Sequence, residues 1–265
     1  MRVIACALQC EAQAFIDFYK MKSVTNHTFK VFQKDDITLV ISGIGKLNMA
    51  AACAYVYAKY DEPISSWLNI GICGADNKAL GEVYLANKIH DPSSTLTWYP
   101  PLIINSDIPG CELITTDHPT NHYSNNNIYD MEASGFYSTC IKFTTAELVT
   151  CLKVVSDNAQ HPTNNIDKNL VLDLMKKSFD KCIAYFDQQA DLLKQYQLEK
   201  QFPNHYSELV SKYRFTKTQQ HQLKRALECL KEQTIDSALK SSTFSNSKQV
   251  LLHLNHLRSK HKVSL

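Results

Sequence analysis

The sequence predicts an α/β domain, with strands and helices alternating around a mostly parallel sheet, followed by a helical extension. Three observations carry that expectation. Short apolar runs at 3–8, 37–41, 67–70 and 148–155 alternate with stretches of helical spacing. All seven glycines lie between Gly43 and Gly135, several of them where a strand-like run ends. Charge is also divided. From residue 200 onward there are 12 Lys/Arg and 4 Asp/Glu, whereas the first 199 residues hold 16 and 22. An α/β domain over 1–190 and a basic α-helical extension over 191–265 are therefore expected.

Taken in order, residues 3–8 read as a first strand that leads through Gln9-Cys10-Glu11 into a helix carrying Phe15, Ile16 and Tyr19. Residues 29–32 and 37–41 read as a hairpin joined through Lys34-Asp35-Asp36. Ser42-Gly43-Ile44-Gly45-Lys46 then opens an alanine-rich helix, 47–60. A glycine turn at a helix start offers free N–H groups to an anion or a close-packed ligand, although Gly-x-Gly alone is weak evidence. Strand 67–70 runs into a second glycine turn, Gly71-Ile72-Cys73-Gly74-Ala75, and 81–89 is a further strand. Residues 91–110, with Trp98 and Tyr99, read as a loop; 112–115 is a strand and 117–127 another loop. A helix over 132–143, the strand 148–155 and a helix from 166 to about 198 complete the domain.

Composition narrows the function classes. With 44% hydrophobic and 20% charged residues in 265, the chain has the makings of a globular protein with a sizeable core. No apolar run approaches bilayer length, and the apolar start is interrupted by Glu11, so it reads as a strand rather than a leader. The nine cysteines are scattered through apolar segments without zinc or disulfide-framework spacing. Reduced thiols and a cytoplasmic location are expected, with no metal or organic cofactor.

Three acids fall at sheet edges: Glu11 at a strand-to-helix junction, Glu132 at a helix start, and Asp157 just past a strand after Ser156. Open α/β sheets bind ligands at such edges. Spacing alone favours a plainer reading, in which Asp157 caps a turn and Glu132 is a solvated first-turn acid.

Together, the start ending in Glu11, Ser42-Gly43-Ile44-Gly45-Lys46, Gly71-Ile72-Cys73-Gly74 followed by Gly81-Glu82-Val83, Asp130-Met131-Glu132-Ala133 and Ser156-Asp157 change that balance. In order and spacing they resemble the nucleoside phosphorylase/nucleosidase superfamily, most nearly the methylthioadenosine/S-adenosylhomocysteine nucleosidases, over about residues 1–188. The resemblance implies a phosphorylase/hydrolase-like mixed central sheet flanked by helices. It implies hydrolysis of the N-glycosidic bond of a purine nucleoside, such as a 5′-substituted adenosine, and a homodimer. Asp157 would protonate N7 of the leaving base, oriented by Ser156, and Glu11 would activate water. Glu132 would hold the ribose hydroxyls, with Met131 against the sugar. Ile44, Cys73, Gly74 and Lys153 are the remaining expected substrate contacts. This chemistry suits an oxocarbenium-like transition state, which needs a protonated leaving group and a nucleophile on the opposite face.

The chain departs from the family at three places. Ile72 stands where the nucleosidases usually have a hydroxyl, and Lys153 where they often have Arg. The family's base-stacking aromatic has no clear counterpart; His118, Tyr123 and Trp98 are the candidates. A phosphorylase would need cations for phosphate. Only Arg2, Arg214, Arg225 and Arg258 occur, none near the glycine turns, which leaves Lys46 and Lys153 for that role. A nucleoside-binding protein without activity is a further alternative. The basic extension lacks any zinc-finger or recognition-helix signature, so a solvated helical face is expected there rather than a nucleic-acid site.

Overall fold

The computed structural model describes residues 1–25, 28–60, 65–120, 122–123, 126–163, 166–199, 205–230, 232–242 and 244–262. Parts of the expected 117–127 loop, and residues 200–204 of the junction between domain and extension, lie outside them. The chain divides into two compact units, Met1–Tyr196 and Gln197–Leu265.

The first unit is built on one mixed sheet. Strand β1 (Arg2–Cys6) lies between β4 (Ile37–Ile41) and β5 (Ser66–Ala75), parallel to both. Beyond β4 the hairpin partner β3 (Lys30–Lys34) and the short β2 (Lys22–Val24) continue antiparallel. On the other side β5 pairs with both β9 (Ile128–Asp130) and β10 (Val149–Asp157). Strand β10 also pairs with β6 (Val83–Asp91), β6 with β8 (Gly110–Thr115), and β8 with β9. The β5–β10–β6–β8–β9 circuit therefore closes on itself, which leaves no free edge at the strand ends that carry the expected site. The remaining strand, β7 (Leu96–Trp98), hangs antiparallel on β6.

Period-two alternation explains how this sheet buries both faces. In β1, Val3 and Ala5 join one core cluster and Ile4 and Cys6 the other. In β10, Val149, Cys151 and Val155 face the first cluster, while Leu152 and Val154 face the second. Helices α2 (Lys46–Tyr60) and α3 (Ala133–Cys140) cover the first face with Met49, Val56 and Phe136. Helices α1 (Gln9–Tyr19), α4 (Lys168–Lys177) and α5 (Phe179–Glu199) cover the second with Phe15, Leu174 and Phe186. Where α2 and α3 cross, Gly135 is required. A Cβ there would lie 2.1 Å from the Lys46 carbonyl oxygen, a backbone atom that cannot move aside.

Four expectations need correction. The sheet is mixed, as the resemblance implies, and not mostly parallel as the alternation alone suggests: β2–β4 form an antiparallel meander and β6 runs against β10. The second glycine turn is not a turn: Gly71 and Gly74 lie inside β5, in register with Lys153 and Asp157 of β10. Residues 91–110 include β7 as well as loop. The long helix 166–198 is two helices, α4 and α5, divided at Ser178, whose hydroxyl donates to the Gly81 carbonyl at 2.9 Å.

The second unit consists of helices α6 (His205–Lys212), α7 (Lys217–Glu228), α8 (Glu232–Ser241) and α9 (Ser247–Lys262). Leu209, Leu223, Leu227, Ile235, Val250 and Leu254 form its own buried cluster. A reciprocal capping box starts α7. The Thr216 hydroxyl accepts the Gln219 N–H at 3.2 Å, and the Gln219 side chain accepts the Thr216 N–H at 2.9 Å. Among the described residues no helix is long and apolar enough to cross a membrane.

Candidate active site

The strand ends of the closed circuit open into a cavity of about 300 Å³. Glu11, Asp130, Glu132 and Asp157 all line it, together with Ile44, Ile72, Cys73, Gly74, Met131 and Ser156. Eight of the nine expected contacts are thus brought together. Lys153 is the exception.

Glu11 sits in the first turn of α1. Its Oε2 accepts the Leu8 N–H at 2.7 Å, the acid half of a capping box without a hydroxyl partner. Its Oε1 accepts the Ile72 N–H at 2.9 Å. The carboxylate can reach β5 because residue 71 is glycine; a Cβ there would stand 2.7 Å from Oε1. Burial pushes the Glu11 carboxyl up, and the Ile72 and Leu8 N–H groups and the Lys153 charge pull it part of the way back.

Asp130 ends β9 and organises the floor. Its Oδ1 accepts the Thr115 hydroxyl at 2.9 Å, and its Oδ2 accepts the Ala133 N–H at 2.8 Å, which caps α3. The same Oδ2 lies 2.8 Å from Lys153 Nζ, and both side chains are 1% exposed. Lys153 shares the β10 face of Cys151 and Val155, so parity points it at this acid beneath the cavity. That corrects its expected role as a substrate contact: its ammonium is taken by Asp130 and does not line the cavity. Burial penalises the Lys153 charge, yet Asp130 and Glu132 outweigh burial and hold its pKa above the ordinary lysine value.

Glu132 follows one residue outside α3, with Oε1 accepting the Gly45 N–H at 2.8 Å. The first glycine turn thus serves a protein carboxylate, and Gly43 and Gly45 both adopt positive φ to present it. Burial first, then the neighbouring Asp130, pushes the Glu132 carboxyl up to about 7, against the pull of Lys153 and the Gly45 N–H.

Asp157 and Ser156 end β10 at a bulge, where the register with β5 shifts between Val155 and Asp157. Bulges re-aim side chains, and here consecutive residues both face the cavity. Ser156 Oγ is 2.5 Å from Asp157 Oδ1 and 3.3 Å from the Cys73 carbonyl. Two hydroxyls not anticipated from the sequence donate to Asp157 Oδ2: Thr163 at 2.9 Å, and Tyr123. Thr163, in a loop without periodicity, gives no signal in the sequence, and Tyr123 is expected there only as a candidate base stack. Of the three aromatic candidates for a base stack, Tyr123 lines the cavity, whereas His118 and Trp98 do not. Trp98 is held in β7 opposite Ile89. Burial keeps the Cys73 thiol well above its usual pKa, so it is a neutral wall rather than a nucleophile.

Among the described residues, the cavity lining includes four carboxyl groups and no Lys or Arg. Lys46, the other cation considered for phosphate, is bound to Asp91 at 3.0 Å and Asp117 at 2.8 Å. Among the described residues, no group of three His, Cys, Asp or Glu side chains could hold a metal ion.

No protein-family model matches the sequence, and no curated protein is similar to it. Solved structures do match. The 5′-methylthioadenosine/S-adenosylhomocysteine nucleosidase of S. pneumoniae, bound to a transition-state inhibitor, is 16% identical with a TM-score of 0.57, over 70% of this chain and 98% of its own. The Arabidopsis thaliana 5′-methylthioadenosine nucleosidase is 15% identical with a TM-score of 0.56, over 70% and 95%. The futalosine hydrolase of Helicobacter pylori is 13% identical with a TM-score of 0.55, over 72% and 97%. This chain shares the α/β fold of these nucleosidases.

Proposed function

We propose that the protein hydrolyses the N-glycosidic bond of a purine nucleoside, and that its substrate is a 5′-substituted adenosine such as methylthioadenosine or S-adenosylhomocysteine. One observation carries the reading: three buried carboxyls from three separate elements, Glu11, Glu132 and Asp157, converge on one cavity that, among the described residues, no Lys or Arg lines. An anionic enclosure favours a ribosyl group that becomes cationic as the bond breaks, and it repels phosphate. Apolar Leu8, Ile44, Met131 and Ile166 on the same cavity suit the thioether that both of these substrates carry at C5′. The names of the structural neighbours agree with that class.

The chemistry follows from the contacts. Ser156 on Oδ1 orients Asp157, and Oδ2, which holds the Tyr123 and Thr163 hydroxyls when no base is bound, passes its proton to N7 as the C1′–N9 bond breaks. Glu11, held by the Leu8 and Ile72 N–H groups, takes a proton from the water as the water oxygen bonds to C1′. The products are the free base and the 5′-substituted ribose. Release of adenine from methylthioadenosine, S-adenosylhomocysteine and adenosine, and of hypoxanthine from inosine, should be measured with and without phosphate. Phosphate-independent release is expected; strictly phosphate-dependent release would reassign the nucleophile and remove Glu11 from its role.

Glu132 predicts a pH dependence. Ribose hydroxyls donate to the ionised carboxylate, so the ligand binds the form that predominates above about 7. Affinity for a non-hydrolysable nucleoside analogue should therefore rise with pH. It should be about 30-fold weaker at pH 5.5 than on the plateau near pH 8. Titration calorimetry across that range checks this, with Glu132→Gln expected to flatten the profile. Constant affinity in the wild type would rule out the ribose role.

A further inference from the structure

Tyr123 lies where a ligand should be. Its hydroxyl donates to Asp157 Oδ2, and Thr163 donates to the same oxygen at 2.9 Å. A carboxylate oxygen has two in-plane lone pairs, and the Tyr123 hydroxyl takes one of them beside Thr163. The Tyr123 ring also lies against Gly74. A Cβ built on Gly74 would meet ring carbon Cε1 at 2.7 Å, the phenol oxygen at 2.8 Å and Asp157 Oδ2 at 2.7 Å. Gly74 and Asp157 both line the cavity, so the phenol fills the space through which a cavity ligand would reach Oδ2. A group that takes a proton from Asp157 must come within about 3 Å of it. The purine edge and the phenol cannot both be there.

Building on the nucleosidase reading, we propose that Tyr123 is an affinity-setting competitor of the base. Its phenol satisfies the buried Asp157 in the empty site, and the base displaces it from Oδ2 on binding. This differs from a stacking platform, which would add to affinity, and from a direct base contact, which would be lost with the hydroxyl. Bound nucleoside thus replaces one hydrogen bond to Asp157 with another. The site remains satisfied in both states at the expense of affinity.

Three proteins separate these roles: wild type, Tyr123→Phe and Tyr123→Leu, each titrated with adenine and with hypoxanthine by calorimetry, with thermal melts as a folding control. Removing the hydroxyl should tighten adenine binding roughly ten-fold, the worth of one hydrogen bond to a charged group. Tyr123→Leu should tighten it at least as much. A gain in affinity cannot come from a poorly folded variant. Loss of affinity in Tyr123→Leu alone would show stacking, and loss in Tyr123→Phe would show a direct contact. Unchanged affinity in both would show a bystander. Each of these three results overturns the proposal while leaving the nucleosidase reading in place. If none of the folded proteins bound either purine, the nucleosidase reading would fall and the proposal with it.

Discussion

Asp157→Asn is expected to lower kcat for adenine release by about 10²- to 10⁴-fold, the usual share of a general acid, with the melting temperature nearly unchanged. The amide has no proton to give to N7, which accounts for the loss. The fold should tolerate it because, among the described residues, the side-chain partners of Asp157 are hydroxyls: Ser156 on Oδ1, and Tyr123 and Thr163 on Oδ2. A hydroxyl can donate or accept, so whichever of them faces the new NH₂ can turn to accept from it. A backbone N–H in that place could not. The defect should also depend on the leaving group. A nitrophenyl riboside, whose phenolate departs without protonation, should lose far less than adenine does. Equal losses for both would mean that Asp157 shapes the site rather than supplying the proton, and wild-type turnover would remove it from the mechanism altogether.

The parts of this site legible in the sequence are those where a residue's neighbours in the chain decide its place. Glu11 is three residues past the Leu8 N–H that it accepts, and Glu132 immediately precedes α3. Such positions follow from local spacing. Gly71 and Gly74 looked like a turn because glycine usually marks one. They are strand residues instead, without side chains because the Glu11 and Asp157 carboxylates need that space. Nothing within a few residues of either glycine announces a carboxylate arriving from another element. Short strands escaped for a related reason. Lys22–Val24 and Ile128–Asp130 have three residues each, too few for alternation to register, and exist because neighbouring strands offer them partners. Yet Ile128–Asp130 closes the strand circuit and sets Asp130 beneath the cavity. Tyr123 and Thr163 reach Asp157 from segments with no period at all. The division at Ser178 carries no Pro or Gly to mark it; a tertiary hydrogen bond to Gly81 accompanies it.

Lys153→Met is expected to destabilise the protein by about 3–5 kcal/mol, the cost of removing one partner from a buried ion pair. Within strand β10 the change looks harmless, since Met suits the run of Leu152, Val154 and Val155 better than Lys does. The difficulty lies in what Lys153 leaves behind. Asp130, 1% exposed on its side chain, would retain the Thr115 hydroxyl and the Ala133 N–H but lose the cation paired with it. Glu132 and Glu11 would lose the positive charge that lowers both of their pKa values. The consequences separate into stability and function. Urea unfolding at pH 7 should show the loss of stability. Adding Asp130→Asn to Lys153→Met should restore much of it, because the amide oxygen can still cap α3 without a charge to neutralise. Ligand affinity should not recover to the same extent. With Lys153 gone, Glu132 rises further above about 7, so the calorimetric pH profile should move to higher pH in the single variant. The double variant also removes the Asp130 repulsion and should move part of the way back. If Lys153→Met matched wild type in urea, the buried pair would be replaceable by packing alone. If stability fell but the pH profile stayed in place, Lys153 would hold up the floor of the site without setting the charge of the group that holds the ribose.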